Sequence, residues 1–205
     1  MDAGQELIKH LERVVLAIAS WVLKHWLLLI TLAAAVCALL PIAAPALMFT
    51  GHSRLGGLVY LLFRPLCHQL PERSFFLFGD QWTYTAAQLA ERLGRVPPLR
   101  YVGDAAIGYK VAVCQRDVAI YGGMLLTLLV LGPFVRRLAL WPNWVLLLCA
   151  APMAIDGGGQ LIGLWQSVPL CRVLTGLAFA VGLVGWALPR LCSAMRSAQE
   201  AARDW

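Results

Sequence analysis

From Trp26 to Phe49 the chain carries no charged residue. A helix that crosses a bilayer needs roughly 20 mostly apolar residues, so this stretch alone is long enough to span. Pro41 and Pro45 fall inside it, which lipid-embedded helices tolerate. Three further uncharged runs cover residues 118–135, 138–155 and 173–188. The first of these ends at Arg136-Arg137 and the last at Pro189-Arg190. Composition agrees: 60% of residues are hydrophobic, only 14% are charged, and mean hydropathy is +0.71. A soluble core of 205 residues cannot bury that much apolar surface. A cytosolic globular enzyme, a disordered chain and a secreted disulfide scaffold are thereby excluded.

The expected fold is all-α and integral to the membrane, a single domain over residues 1–205 with about four transmembrane helices. Residues 1–25 read as a separate amphipathic helix lying in the interface, because Leu7, Leu11, Val14, Val15, Ile18 and Val22 follow helical spacing with Lys9, Glu12 and Arg13 between them. The rival reading is a cleavable signal peptide, disfavoured by the long apolar run and the acidic front. Residues 50–117 form a long loop that caps the bundle. Within it, Gly56 to Phe63 is apolar but too short to cross and reads as a re-entrant half-helix. Thr85 to Leu93 reads as a surface helix with Thr85 as N-cap and Gly94 as its stop. Gly157-Gly158-Gly159 reads as a flexible end to the third span.

The net charge of +6 says more about topology than about partners, and no nucleic-acid motif is present. With four spans, both termini share a side with Arg136-Arg137. That side collects Lys9, Arg13, Lys24, Arg136, Arg137, Arg190, Arg196 and Arg203. The long loop also holds basic residues, but loops beyond about 60 residues weigh little in the positive-inside rule. The termini are therefore expected in the cytoplasm and the long loop outside the cell membrane. A fifth span made from Gly56 to Leu66 would reverse everything before it.

Three clusters then fall at one membrane face. The first runs from Arg64 through Cys67, His68, Gln69, Pro71, Glu72, Arg73, Ser74 and Phe75. The second is Cys114-Gln115-Arg116-Asp117 with Ile120-Tyr121-Gly122. The third is Asp156-Gly157, Gln160-Leu161, Arg172 and Thr175-Gly176. Read as CHQ-x-PERSF, C-x-R-x-x-x-IYG and DG-x-x-QL…R-x-x-TG, these boxes resemble an uncharacterised prokaryotic family of polytopic membrane proteins, a domain of unknown function. The resemblance covers roughly residues 58–190. It implies an integral membrane protein and no established activity. The family pattern often has a cysteine where this chain has Asp117, so a site that needs a third thiol is in doubt, although a carboxylate can replace it as a ligand.

The chemistry must come from the residues. Cys67, His68, Cys114 and Asp117 are candidate ligands for a transition metal, zinc or copper. Asp117 follows Cys114 by three residues, so on a helix the two face the same way. Adjacent Cys67 and His68 rarely both reach one ion without a bent backbone. A Cys67–Cys114 disulfide is the competing reading, and an outward loop is where such bonds persist. A redox-active pair with Cys171 lacks a C-x-x-C motif. Cys37, Cys149 and Cys192 read as small apolar residues of the spans. Glu72, Arg73, Arg116, Asp117, Asp156 and Arg172, with Gln160, are candidates for a polar network at the outer helix ends, against the plainer reading of a solvated rim. An arginine there could also clamp an anionic substrate or headgroup. Gly122-Gly123, Gly159-x-x-x-Gly163 and Gly182-x-x-Gly185 permit close helix packing, within the chain, with a partner or in a homo-oligomer.

The function expected is a multi-pass membrane protein whose partner is the lipid bilayer, with an outward Cys/His/carboxylate site for metal binding or thiol chemistry. Whether it is an enzyme, and which residues would be catalytic, the sequence leaves open. The alternatives are a structural or assembly subunit and a small carrier.

Overall fold

The computed structural model describes residues 3–202. It is mainly helical, with α1 at Ala3–Phe49, α2 at Ser53–Phe63, α3 at Ala86–Leu93, α4 at Gln115–Leu131, α5 at Asn143–Leu161 and α6 at Pro169–Ala201. Four of the helical stretches are long and apolar enough to cross a membrane: Gly4–Phe49, Gln115–Arg137, Asn143–Leu161 and Pro169–Ala201. The expected all-α membrane architecture is what the chain adopts.

The N-terminal helix is not separate from the first span. The break expected after residue 25 is absent, and α1 runs through it as one helix of 47 residues. At 1.5 Å per residue it is about 70 Å long, more than twice the hydrocarbon thickness of a bilayer. Its Gly4–Val22 part is exposed throughout, while burial begins near Leu23. The charges at Lys9, Glu12 and Arg13 sit on the surface of a helix and do not interrupt its backbone; Lys9 and Glu6 even pair across one turn, at 3.8 Å. Pro41 and Pro45 both lie inside the helix and are fully buried.

Around the core, α4 packs chiefly on α6, α5 on α6, and α1 on α2 and α4. Small residues set the spacing. A Cβ on Gly176 would lie 2.8 Å from the Arg116 carbonyl, and one on Gly182 would lie 2.4 Å from the Cys149 Cβ. Gly123 and Gly185 are similarly crowded, by Ala180 and by the Trp141 ring, whereas Gly122 faces open space. The triple glycine does not end α5, which continues to Leu161. Gly159 is instead pressed against the Trp165 ring, where a Cβ would come within 2.1 Å. The connection between α5 and α6 is consequently only residues 162–168.

The long loop contains structure that the sequence reading missed. A three-stranded antiparallel sheet, in the order β1-β3-β2, is built from β1 (Ser74–Leu77), β2 (Gly103–Asp104) and β3 (Gly108–Cys114). Register pairs Ser74 with Cys114 and Phe76 with Lys110. Val111, Ala112 and Val113 are buried beside Ala44 of α1 and Val59, Tyr60 and Phe63 of α2. Within β3, Val111–Val113 is a continuous apolar run with no alternation, which periodicity cannot tell from other buried segments. The surface helix α3 forms where expected. Thr85 and Gln88 make a reciprocal capping box, and Gly94 closes the helix with φ +64°.

At the end of the bundle away from the sheet, Lys24, Arg136 and Arg196 gather around one small cavity, and Gln199 Nε2 donates to the Leu23 carbonyl at 2.5 Å. Arg203, counted above with this basic end, lies outside the described residues, as do Met1 and Asp2.

Candidate thiol and carboxylate site

Two chain reversals bring the cysteines together. After α2 the chain turns at Cys67, and Gln69 takes a positive φ of 56°. Far along the sequence, β3 delivers Cys114 as the N-cap residue of α4. The Cys114 N–H donates to Cys67 Sγ at 3.2 Å across 47 positions. One helical turn on, Asp117 accepts from Cys114 Sγ at 3.1 Å. One Sγ of each cysteine and one carboxylate oxygen of Asp117 all lie within 4.8 Å of one another. They open onto a cavity of about 210 Å³ that His68, Arg73 and Arg116 also line.

Of the four expected ligands, three converge and His68 does not. His68 is exposed between buried Cys67 and Gln69, and it lines the cavity without joining the cluster of ligand atoms. This is the geometric difficulty of adjacent ligands, here decided against the histidine. The cysteines are close but unbonded, and all six thiols of the chain are free.

The pair titrates unequally. A side-chain hydrogen bond between the two thiols, with Cys114 as donor, is the largest influence lowering Cys67, while burial and the Asp117 charge oppose it. The same hydrogen bond, followed by burial and the Asp117 charge, holds the Cys114 thiol far above its ordinary range. Cys67 is thus the sulfur that ionises first. Its place beside the N-terminus of α4 suits a thiolate.

Beneath the site sits a lysine that the sequence reading passed over. Lys110 on β3 is fully buried, and its Nζ donates to the Gln69 carbonyl. The Tyr60 hydroxyl donates to the Lys110 carbonyl, and Gln69 Nε2 donates to the Tyr60 carbonyl at 2.8 Å. Burial pushes the Lys110 ammonium down to about 8, with the Cys67 and Glu72 charges partly resisting. A single charge directly before the apolar stretch Val111–Val113 is the available signal, hidden when the segment is taken as loop.

The polar network is realised in part. Arg116 pairs with Asp156, whose Oδ2 also accepts from Ser167 Oγ at 2.8 Å. Arg172 finds no carboxylate. Its Nη1 donates to Gln115 Oε1 at 2.9 Å and to the Glu72 carbonyl at 3.5 Å. Gln115 in turn donates to the Ser74 carbonyl at 3.1 Å, tying α6 through α4 to β1. The side chains of Glu72, Arg73 and Gln160 make no hydrogen bond among the described residues, yet all three line one cavity with Arg172. Gln115 and Ser167 are the members that sequence reasoning missed.

Residues 105–185, which include Cys114, Asp117, Asp156 and Arg172, match the family described as "Predicted membrane protein (DUF2085)". An uncharacterised protein of Methanocaldococcus jannaschii is 33% identical over 134 residues, an alignment that covers 64% of this chain and 67% of that one. No solved structure matches the chain.

Proposed function

The chain belongs to the DUF2085 family of membrane proteins, and on that premise we propose that it binds a thiophilic transition metal, zinc or copper, through Cys67, Cys114 and Asp117. The observation that carries this reading is the convergence of two sulfurs and a carboxylate within 4.8 Å. Thiolate and carboxylate donors suit zinc, and thiolates also favour copper(I). Three protein ligands leave one tetrahedral position for water, a substrate or an exchanging partner. The early-ionising Cys67 supports metal capture, since ligands must lose their protons first.

Elemental analysis of protein purified under reductant, followed by competition with a chromophoric chelator, tests this. We expect about one zinc or copper per chain, with affinity down by more than about 100-fold in Cys67→Ser and Cys114→Ser. His68→Ala should change it by less than about tenfold, because the imidazole stands outside the cluster. Occupancy should fall on acidification. Metal-free protein with both thiols freely labelled would sink the proposal. Metal-free protein whose thiols label only after reduction would replace it with the disulfide.

The site's face is also part of the proposal. The basic end with Lys24, Arg136 and Arg196 belongs in the cytoplasm by the positive-inside rule, with both termini, which leaves the sheet and the thiols outside. Reporters fused to the C-terminus and inserted within Ala86–Leu93 should label opposite sides of the membrane. Labelling on the same side would refute the four-span arrangement.

A further inference from the structure

A second cavity, of about 720 Å³, lies between the cap and the α5–α6 connection, on the same face as the thiols. Its volume is in the range of small-molecule sites. Its wall is mixed polar and apolar and carries two guanidinium groups, Arg73 and Arg172, against one carboxylate, Glu72. Arg116 is already neutralised by Asp156, so it does not offset this balance.

Two features of Arg172 and its helix point to an anion. Arg172 is only 6% exposed, and its Nε is buried with no hydrogen-bond partner. A guanidinium N–H buried without an acceptor is costly, so Arg172 lines the cavity with its hydrogen-bonding capacity incompletely used. Arg172 also lies in the first turn of α6, a helix of 33 residues whose N-cap, Val168, offers no side-chain acceptor. Ser167, the neighbouring hydroxyl, is committed to Asp156. Val168 and Pro169 at that helix start line the cavity, so the helix dipole adds to the two arginines.

We infer that this cavity binds a phosphate ester, held by Arg73 and Arg172 beside the start of α6. Arginine matches the tetrahedral anion with paired N–H donors. A bare phosphate would leave much of the space empty. The uncommitted amides of Gln160 and Gln166, with the Trp165 ring, suit a polyol or similar group attached to the phosphate. That chemistry is shared by an anionic phospholipid headgroup and by a soluble phosphate ester.

Thermal unfolding of the full chain in detergent, titrated with four probes, tests the inference. The probes are inorganic phosphate, glycerol phosphate, and short-chain phosphatidylglycerol and phosphatidylcholine. Arg73→Gln is the primary variant, because Arg73 makes no side-chain hydrogen bond that the fold depends on, and Arg172→Lys keeps charge while removing Nε. Arg95→Gln, exposed on the cap, is the charge-matched control. Stabilisation by phosphatidylglycerol but not phosphatidylcholine, with apparent affinity at least about tenfold weaker in Arg73→Gln and Arg172→Lys and unchanged in Arg95→Gln, supports a lipid headgroup. The same pattern with glycerol phosphate or phosphate alone supports the site with a soluble ligand. An equal response to the two lipids, no response to any probe, or one untouched by Arg73→Gln would overturn it.

Discussion

Asp156→Ala will destabilise the folded protein by about 3–5 kcal/mol, the cost of removing one partner from a buried ion pair. The carboxylate is 14% exposed and the Arg116 side chain 20%, so little water is on hand to take its place. Arg116 already has one unsatisfied buried nitrogen, Nε, and losing Asp156 would strip it of its only anionic partner among the described residues. The pair joins α4 to α5, and through Ser167 it also fixes the short connection into α6. Gly157 shows how closely the guanidinium is held, because a Cβ there would fall 2.7 Å from Arg116 Nη1. Replacing both partners by apolar residues, Arg116→Met with Asp156→Leu, should cost far less than the sum of the single changes. Unfolding of the single and double variants in detergent should give a coupling of roughly 2–3 kcal/mol. Arg172 and Asp156, in contrast, should behave additively, since Arg172 is bonded to Gln115 and the Glu72 main chain. A cost below about 1 kcal/mol for Asp156→Ala, or additivity within the Arg116 cycle, would return these charges to a solvated rim.

The parts of this structure that were legible in the sequence are those decided by composition over long windows or by a strict helical interval. Four spans follow from uncharged apolar runs, because lipid admits no other solution for the backbone. The approach of Cys67 and Cys114 follows from topology, since each stands beside a membrane boundary and the loop between them returns to its starting face. Asp117 follows from its three-residue offset from Cys114. What failed was local. The uncharged run that starts at Trp26 marks an apparent boundary between an interfacial helix and a span, but a charged helical surface leaves the hydrogen-bond ladder intact. The run Gly157–Gly159 was read as a stop, but at Gly159 the missing side chain makes room for Trp165. Adjacency groups His68 with Cys67, but only Cys67 is buried against Cys114 and Asp117. β3 was invisible because burial on both faces erases the alternation that marks a strand, and its burial also concealed Lys110.

That lysine gives the second large effect, and its sign can be worked out. Burial lowers Lys110 to about 8, while in the unfolded chain it titrates near its ordinary value of 10.5. Between those values the unfolded chain binds the extra proton, so stability rises with pH across the window. Below about pH 8 the folded protein carries the full cost of the buried ammonium, roughly 3 kcal/mol for this difference. Lys110→Met removes the titration and with it the cost. It also removes the hydrogen bond from Nζ to the Gln69 carbonyl, a loss of about 1 kcal/mol that does not depend on protonation, because a neutral amine still donates. The variant should therefore be the more stable protein at pH 7, and its advantage should shrink by about 3 kcal/mol as pH rises to 10.5. Cys67, whose thiol is lowered from its ordinary value, is one of the charges that holds Lys110 up. Making the comparison a second time with Cys67→Ser in both proteins separates the two groups. Without the thiolate the lysine is more depressed still, so the pH-dependent difference should widen and start at lower pH. A stability difference between Lys110→Met and the parent that stays flat from pH 7 to 10.5 would mean that the ammonium is satisfied where it lies, and the low-lying lysine beneath the thiols would have to be abandoned.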